Sequence, residues 1–116
     1  MNEPDVNKGL QQEDLFELFR AQLRKDFEIS GLDASFTENL PAQYAELRAL
    51  ILTNIERLIA GGSQYFAGLL YRVDISEAQL GKYSRQHQHL NLAETITELI
   101  IKRTLQKVIL KKRFSE

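Results

Sequence analysis

Residues 13–29 read EDLFELFRAQLRKDFEI, and their spacing decides the fold class. Leu15, Phe16, Phe19, Leu23 and Phe27 recur every three or four positions, which on a helix gathers them into one stripe about 120° wide. No segment of the chain shows the period-two alternation of a strand. Helix therefore is the unit from which this chain is built.

Working outward, SGLDASFTENLP over 30–41 reads as a loop, with Ser35 and Glu38 at the spacing of a reciprocal helix cap. Pro41 suits the first turn of a helix, so a second helix is expected through AQYAELRALILTNIERLIA and is expected to stop at Gly61-Gly62, where glycine takes the left-handed conformation of a helix end. Tyr44, Leu47, Ile51, Leu52, Ile55, Leu58 and Ile59 share its apolar face. Arg48 falls inside that stripe, so it must either snorkel to water or pair with a carboxylate. A shorter helix, SQYFAGLLYR, follows with Ser63 as N-cap. After the short turn SEAQL and the polar GKYSRQHQHLN, a final helix starts at Asn91, with Glu94 three residues on, and runs to about Phe114. Upstream of the opening stretch, residues 1–12 are expected to be a flexible tail. The sum is an all-α, compact bundle of four to five helices with a long C-terminal helix, forming one domain over 1–116. Helix should cover about 65–75% of it, well above the usual third.

The chain has no Cys, which leaves no disulfide, thiolate nucleophile or Cys-bound zinc. No apolar run nears the roughly 20 residues that cross a bilayer, and the start lacks a basic segment followed by an apolar one. A soluble, cytoplasmic protein with no membrane contact is the expectation. The net charge of −1 conceals a polarity: residues 1–58 balance at −5 and residues 59–116 at +4. An acidic front and a basic tail should attract each other within one bundle.

Candidate sites are sparse. In LLYRVDISEAQL, Leu69 to Leu80, both Asp74 with Glu77 and Ser76 with Gln79 have capping-box spacing, and Asp74 is expected to be a structural cap. The functional alternative makes Arg48, Tyr71, Arg72 and Asp74 one polar cluster around a pocket. His87 and His89 are two residues apart and read as solvated loop histidines, so neither metal nor cofactor is expected. A helix-turn-helix reading of QYFAGLLYRVDISEAQLGKY lacks a glycine in the turn, and its second helix sets Glu77 against only Lys82 and Arg85. No nucleophile stands at a defined spacing from a base, so no catalytic residue is assigned.

The last helix is the most informative. Lys102, Arg103, Lys107, Lys111, Lys112 and Arg113 meet no acid between Leu99 and Phe114. Leu92, Ile96, Leu99 and Ile100 form one apolar stripe, while Ile101, Leu105, Val108 and Ile109 project from nearly the opposite side. A helix in a bundle ordinarily buries one stripe, so the second calls for a partner. The expectation is a helical protein-interaction or structural module without catalysis, self-associating as a homodimer through Ile101, Leu105, Val108 and Ile109 or binding another protein there. The alternative is a nucleic-acid-associated protein using the basic run. A small-molecule pocket or enzyme at the Arg48 cluster comes third.

Overall fold

The computed structural model describes residues 3–115. Six helices follow one another: α1 Glu3–Leu10, α2 Glu13–Ile29, α3 Tyr44–Ala60, α4 Phe66–Val73, α5 Glu77–Gln86 and α6 Leu92–Ser115, with a short 3-10 helix at Ser35–Asn39. Helix makes up 78%, and no strand occurs among the described residues.

The stripe on α2 packs as its period requires, with Leu15, Phe19, Leu23 and Phe27 buried and Phe16 partly buried against the same core. Three helices end in one way. After α2 the Leu32 N–H reaches back to the Phe27 carbonyl (2.9 Å) across Gly31 at φ +84, and after α3 the Ser63 N–H reaches Leu58 (3.2 Å) across Gly62 at φ +61. After α4 the Ile75 N–H reaches Leu70 (2.9 Å), but the residue at positive φ is Asp74, at +68. This six-to-one bond over a left-handed residue satisfies carbonyls that the helix end would leave bare.

Two expected boundaries shift. Ser35 caps nothing: its own N–H donates to Asp33 Oδ1 (2.9 Å) and a 3-10 turn starts there. Helix α3 begins at Tyr44 rather than near Pro41: Gln43 before it is extended (φ −69, ψ 126), and the Ala42 carbonyl accepts from Gln11 Nε2 (3.3 Å). Ser63 acts one turn before α4, its Oγ accepting from the Tyr65 N–H (3.2 Å). The start of α6 forms as its sequence predicts, with Asn91 and Glu94 exchanging side-chain to backbone bonds of 2.9 and 3.1 Å.

The larger correction concerns the N-terminus. The tail expected over 1–12 is, over its described part, mostly α1, with Val6 and Leu10 one turn apart and both fully buried. Gly9 between them brings the backbone against Leu105, where an added Cβ would stand 3.2 Å from a Leu105 methyl. Apolar cover therefore comes from a segment whose two large aliphatics are too few to form a visible stripe.

That cover changes the meaning of α6, which touches each of the other five helices. Ile96, Leu99 and Ile100 are buried on one side, and Ile101, Leu105 and Val108 are equally buried on the other, within the same chain. Ile109 is partly buried against the core. The second stripe is thus no exposed interface. A helix apolar on most of its circumference belongs at the centre of a bundle, and α1 and α2 supply the wall that the sequence reading sought in a second molecule.

Candidate functional site

The stretch from Leu69 to Leu80 turns α4 into α5 through three residues, 74–76. Of its two possible caps only one forms: Ser76 Oγ accepts from the Gln79 N–H (3.1 Å) while Gln79 Oε1 accepts from the Ser76 N–H (2.8 Å). Asp74 instead holds the left-handed position that glycine occupies after α2 and α3, and its carboxylate pairs with Arg103 of α6. The turn needs no glycine, since Asp is among the residues that tolerate this conformation. Tyr71 is 86% exposed, and Arg72 is exposed with its carbonyl accepting from Lys107 Nζ (3.0 Å). Arg48 turns instead to Glu94 and Glu98, so Arg48, Tyr71, Arg72 and Asp74 do not gather into the expected cluster.

Arg48 is the hub of a different network, tying α3 to α5 and α6. Its Nη2 lies 2.9 Å from Glu98 and 3.3 Å from Glu94, and its Nε 3.1 Å from Glu98. The other Glu98 oxygen accepts from the Tyr83 hydroxyl (2.7 Å), which in turn accepts from Lys102 Nζ (3.0 Å). Lys102 also sits 4.6 Å from the centre of the Tyr83 ring, and the His87 ring stacks on that ring at 3.9 Å. Burial, reinforced by the hydrogen bond to Glu98, pushes the Tyr83 phenol well above its ordinary value of 10.0. It therefore remains a donor at neutral pH. Against the opposing effect of burial, the bonds to Glu98 and Glu94 raise Arg48. Two cations and two carboxylates balance around one protonated phenol, and the chemistry of this set is that of a brace between helices. Of the two outcomes that the sequence left open for Arg48, snorkelling or a carboxylate partner, the second holds, with the partners unnamed in advance. The signal was Glu94 and Glu98, one turn apart on α6. His87 and His89 lie with ring centres 6.3 Å apart, and no cluster of three metal-ligating side chains occurs among the described residues.

The basic run of α6 is dispersed rather than gathered into one patch. Lys102 turns to Tyr83, Arg103 to Asp74, and Lys107 to the buried Asp26 of α2 (3.3 Å). Lys111 donates to Gln22 Oε1 (2.7 Å) and Lys112 pairs with Asp14, while Arg113 is exposed. The Lys112 ammonium holds the Asp14 carboxyl below its ordinary value. Three acids of the front half or of the α4 end thus answer three cations of the tail.

Between these pairs the C-terminal half of α6 borders two apolar grooves. One, of about 390 Å³, lies between α6 and the end of α4, with Val73, Ile109 and Leu110 in its wall. The other, of about 370 Å³, lies between α6 and α2, with Leu18, Ala21 and Val108. Leu110, in the wall of the first, is 51% exposed, and Phe114, one turn on, is 83% exposed. Neither a protein-family model, nor a curated protein, nor a solved structure matches this chain.

Proposed function

We propose that this chain is a protein-interaction module that docks a partner on the C-terminal half of α6. The observation that supports this reading is the exposure of two apolar side chains one turn apart near the end of α6, Leu110 and Phe114, with Leu110 in the wall of the groove between α6 and α4. Large apolar side chains left in water next to concave apolar surface are characteristic of binding sites. The surface differs from the expected interface: it uses the outer edge of α6, not the stripe of Leu105. The test is affinity purification from cells that make the protein, comparing wild type with Leu110→Glu/Phe114→Glu. Proteins retained by the wild type and lost by a folded double variant support the reading. Identical retention by both would contradict it.

A second reading, nucleic-acid binding, rests on the α4–α5 pair rather than on the basic run. A three-residue turn with a left-handed residue joins an eight-residue and a ten-residue helix, and Lys82 and Arg85 are exposed on the second. Glu77 in the first turn of α5 opposes phosphate, which ranks this reading below the first. A gel-shift titration with generic duplex at physiological ionic strength should give nothing tighter than about micromolar. Nanomolar binding that Lys82→Glu/Arg85→Glu abolishes would reverse the order.

A further inference from the structure

We propose that α5 is a releasable clasp: it leaves α6 and unwinds while the rest of the bundle stays folded, and one oxygen atom, the Tyr83 hydroxyl, holds it shut. The clasp is distinct from the docking surface proposed above, which uses the C-terminal half of α6. Its packing sets it apart. Each of the other five helices buries at least two aliphatic side chains, such as Val6 and Leu10 on α1 or Leu69 and Val73 on α4. Helix α5 buries none: Tyr83 is its one buried residue, Leu80 is partly buried, and Glu77, Ala78, Lys82, Ser84, Arg85 and Gln86 are exposed. Of the other helices it packs substantially on α6 alone. A segment with so little buried apolar surface lies at the low end of local stability.

Polar ties are equally few. Among the described residues no ion pair joins α5 to another element. The hydrogen bonds that join it to another helix meet at the Tyr83 hydroxyl, which donates to Glu98 (2.7 Å) and accepts from Lys102 (3.0 Å). Its remaining side-chain bonds are local, the Ser76–Gln79 cap at one end and the His87 ring against the Tyr83 carbonyl at the other. Both partners of the hydroxyl are charged, so its loss removes two of the stronger kind of hydrogen bond. The flanks stay fixed when α5 leaves. Ile75 is buried with its N–H on the Leu70 carbonyl, and Asn91 and Glu94 cap the start of α6. Arg48 keeps Glu94 and Glu98, so α3 remains tied to α6. The released segment unwinds because a ten-residue helix is marginal alone. Opening uncovers the Glu98 carboxylate, 16% exposed in the closed form, and frees the Lys102 ammonium, so both become fully accessible only in the open state.

Native-state hydrogen exchange of the full chain in low urea tests this. The α5 amides should exchange at least about tenfold faster than the buried amides of α3 and α6, at a rate that hardly changes with urea, because a local opening exposes little surface. Tyr83→Phe should speed exchange in α5 by about tenfold or more, the size of a lost bond to a charged group. Leu10→Ala is the control: it should speed the α3 and α6 amides by about a hundredfold, through global unfolding, and leave α5 at its wild-type rate. Exchange of α5 at the rate and urea slope of α6 would overturn the proposal. So would α5 amides that Leu10→Ala speeds as much as those of α6, since α5 would then open only with the whole bundle. An α5 rate unmoved by Tyr83→Phe would show that the hydroxyl is not what holds it. The urea slopes of the wild type decide between local and global opening even where a variant folds poorly.

Discussion

Asp74 does two things that pull in different directions. Its backbone sits at φ +68, where a residue with a Cβ is strained by about 1 kcal/mol, and its exposed carboxylate pairs with Arg103, a surface contact worth at most about 1 kcal/mol. Glycine relieves the strain but loses the pair and gains freedom in the unfolded chain. Asp74→Gly should therefore melt within about 0.5 kcal/mol of wild type, whereas Asp74→Ala keeps the strain without the pair and should lose about 1 kcal/mol. Thermal melts of the two variants check this, and an Ala variant as stable as the Gly variant would count against it. Sequence reasoning recognised Asp74 as a helix-end residue but assigned it to the wrong helix. Two capping boxes fitted the spacing, and only the backbone reveals that Asp74 closes α4 while Ser76 opens α5.

At the scale of elements, the account turns on α1 and α6. Leu10 is fully buried, so Leu10→Ala should cost about 3 kcal/mol by urea unfolding, as for a core leucine. A change near zero is what a flexible tail would give. On α6, Thr104 is fully buried and its hydroxyl has no hydrogen-bond partner, as is also true of Thr97. Thr104→Val keeps the shape and removes the orphaned hydroxyl, so it should stabilise the protein by about 1 kcal/mol, and a loss of stability would mean that the hydroxyl is bonded. The long helices were legible because their apolar residues repeat over four or more turns. Helix α1 was not, because eight residues hold two buried aliphatics among polar neighbours, and packing rather than local preference makes them a helix. Missing α1 also misread α6, since a stripe without visible cover looks like an interface.

For the whole molecule, the separation of charge along the sequence becomes a set of ties across the bundle. Asp14 and Asp26 of the acidic half meet Lys112 and Lys107 of the basic half, whereas Arg48 with Glu94 and Glu98 ties the halves in the opposite sense. That attraction was legible from composition, but its pairings depend on which helix faces which. The ties set a pH profile. Glu94 is lowered by the Asn91 N–H and by Arg48, Asp14 by Lys112, and Asp33 by the Ser35 N–H. A carboxylate lowered on folding contributes stability above its unfolded value, here 4.5 for Glu94 and 3.8 for the two aspartates, and that stability is lost as pH falls through the folded value. Tyr83 is raised on folding, so its contribution is present below 10.0 and is lost as pH rises beyond it. The melting temperature should hold steady across neutral pH, fall below about pH 4 and fall again above about pH 10. A steady decline between pH 5 and 9 would contradict this. The candidate surface, by contrast, was only partly legible: the cations of α6 were visible, but the grooves exist only once α2 and α4 lie beside it. Everything in this account follows from α6 being the central helix, walled within its own chain. Circular dichroism and thermal melting of Leu105→Glu test that claim most directly: a charge at this fully buried position should abolish the cooperative fold, whereas a variant that folds, melts cooperatively and sediments as a monomer would show Leu105 to face a partner after all.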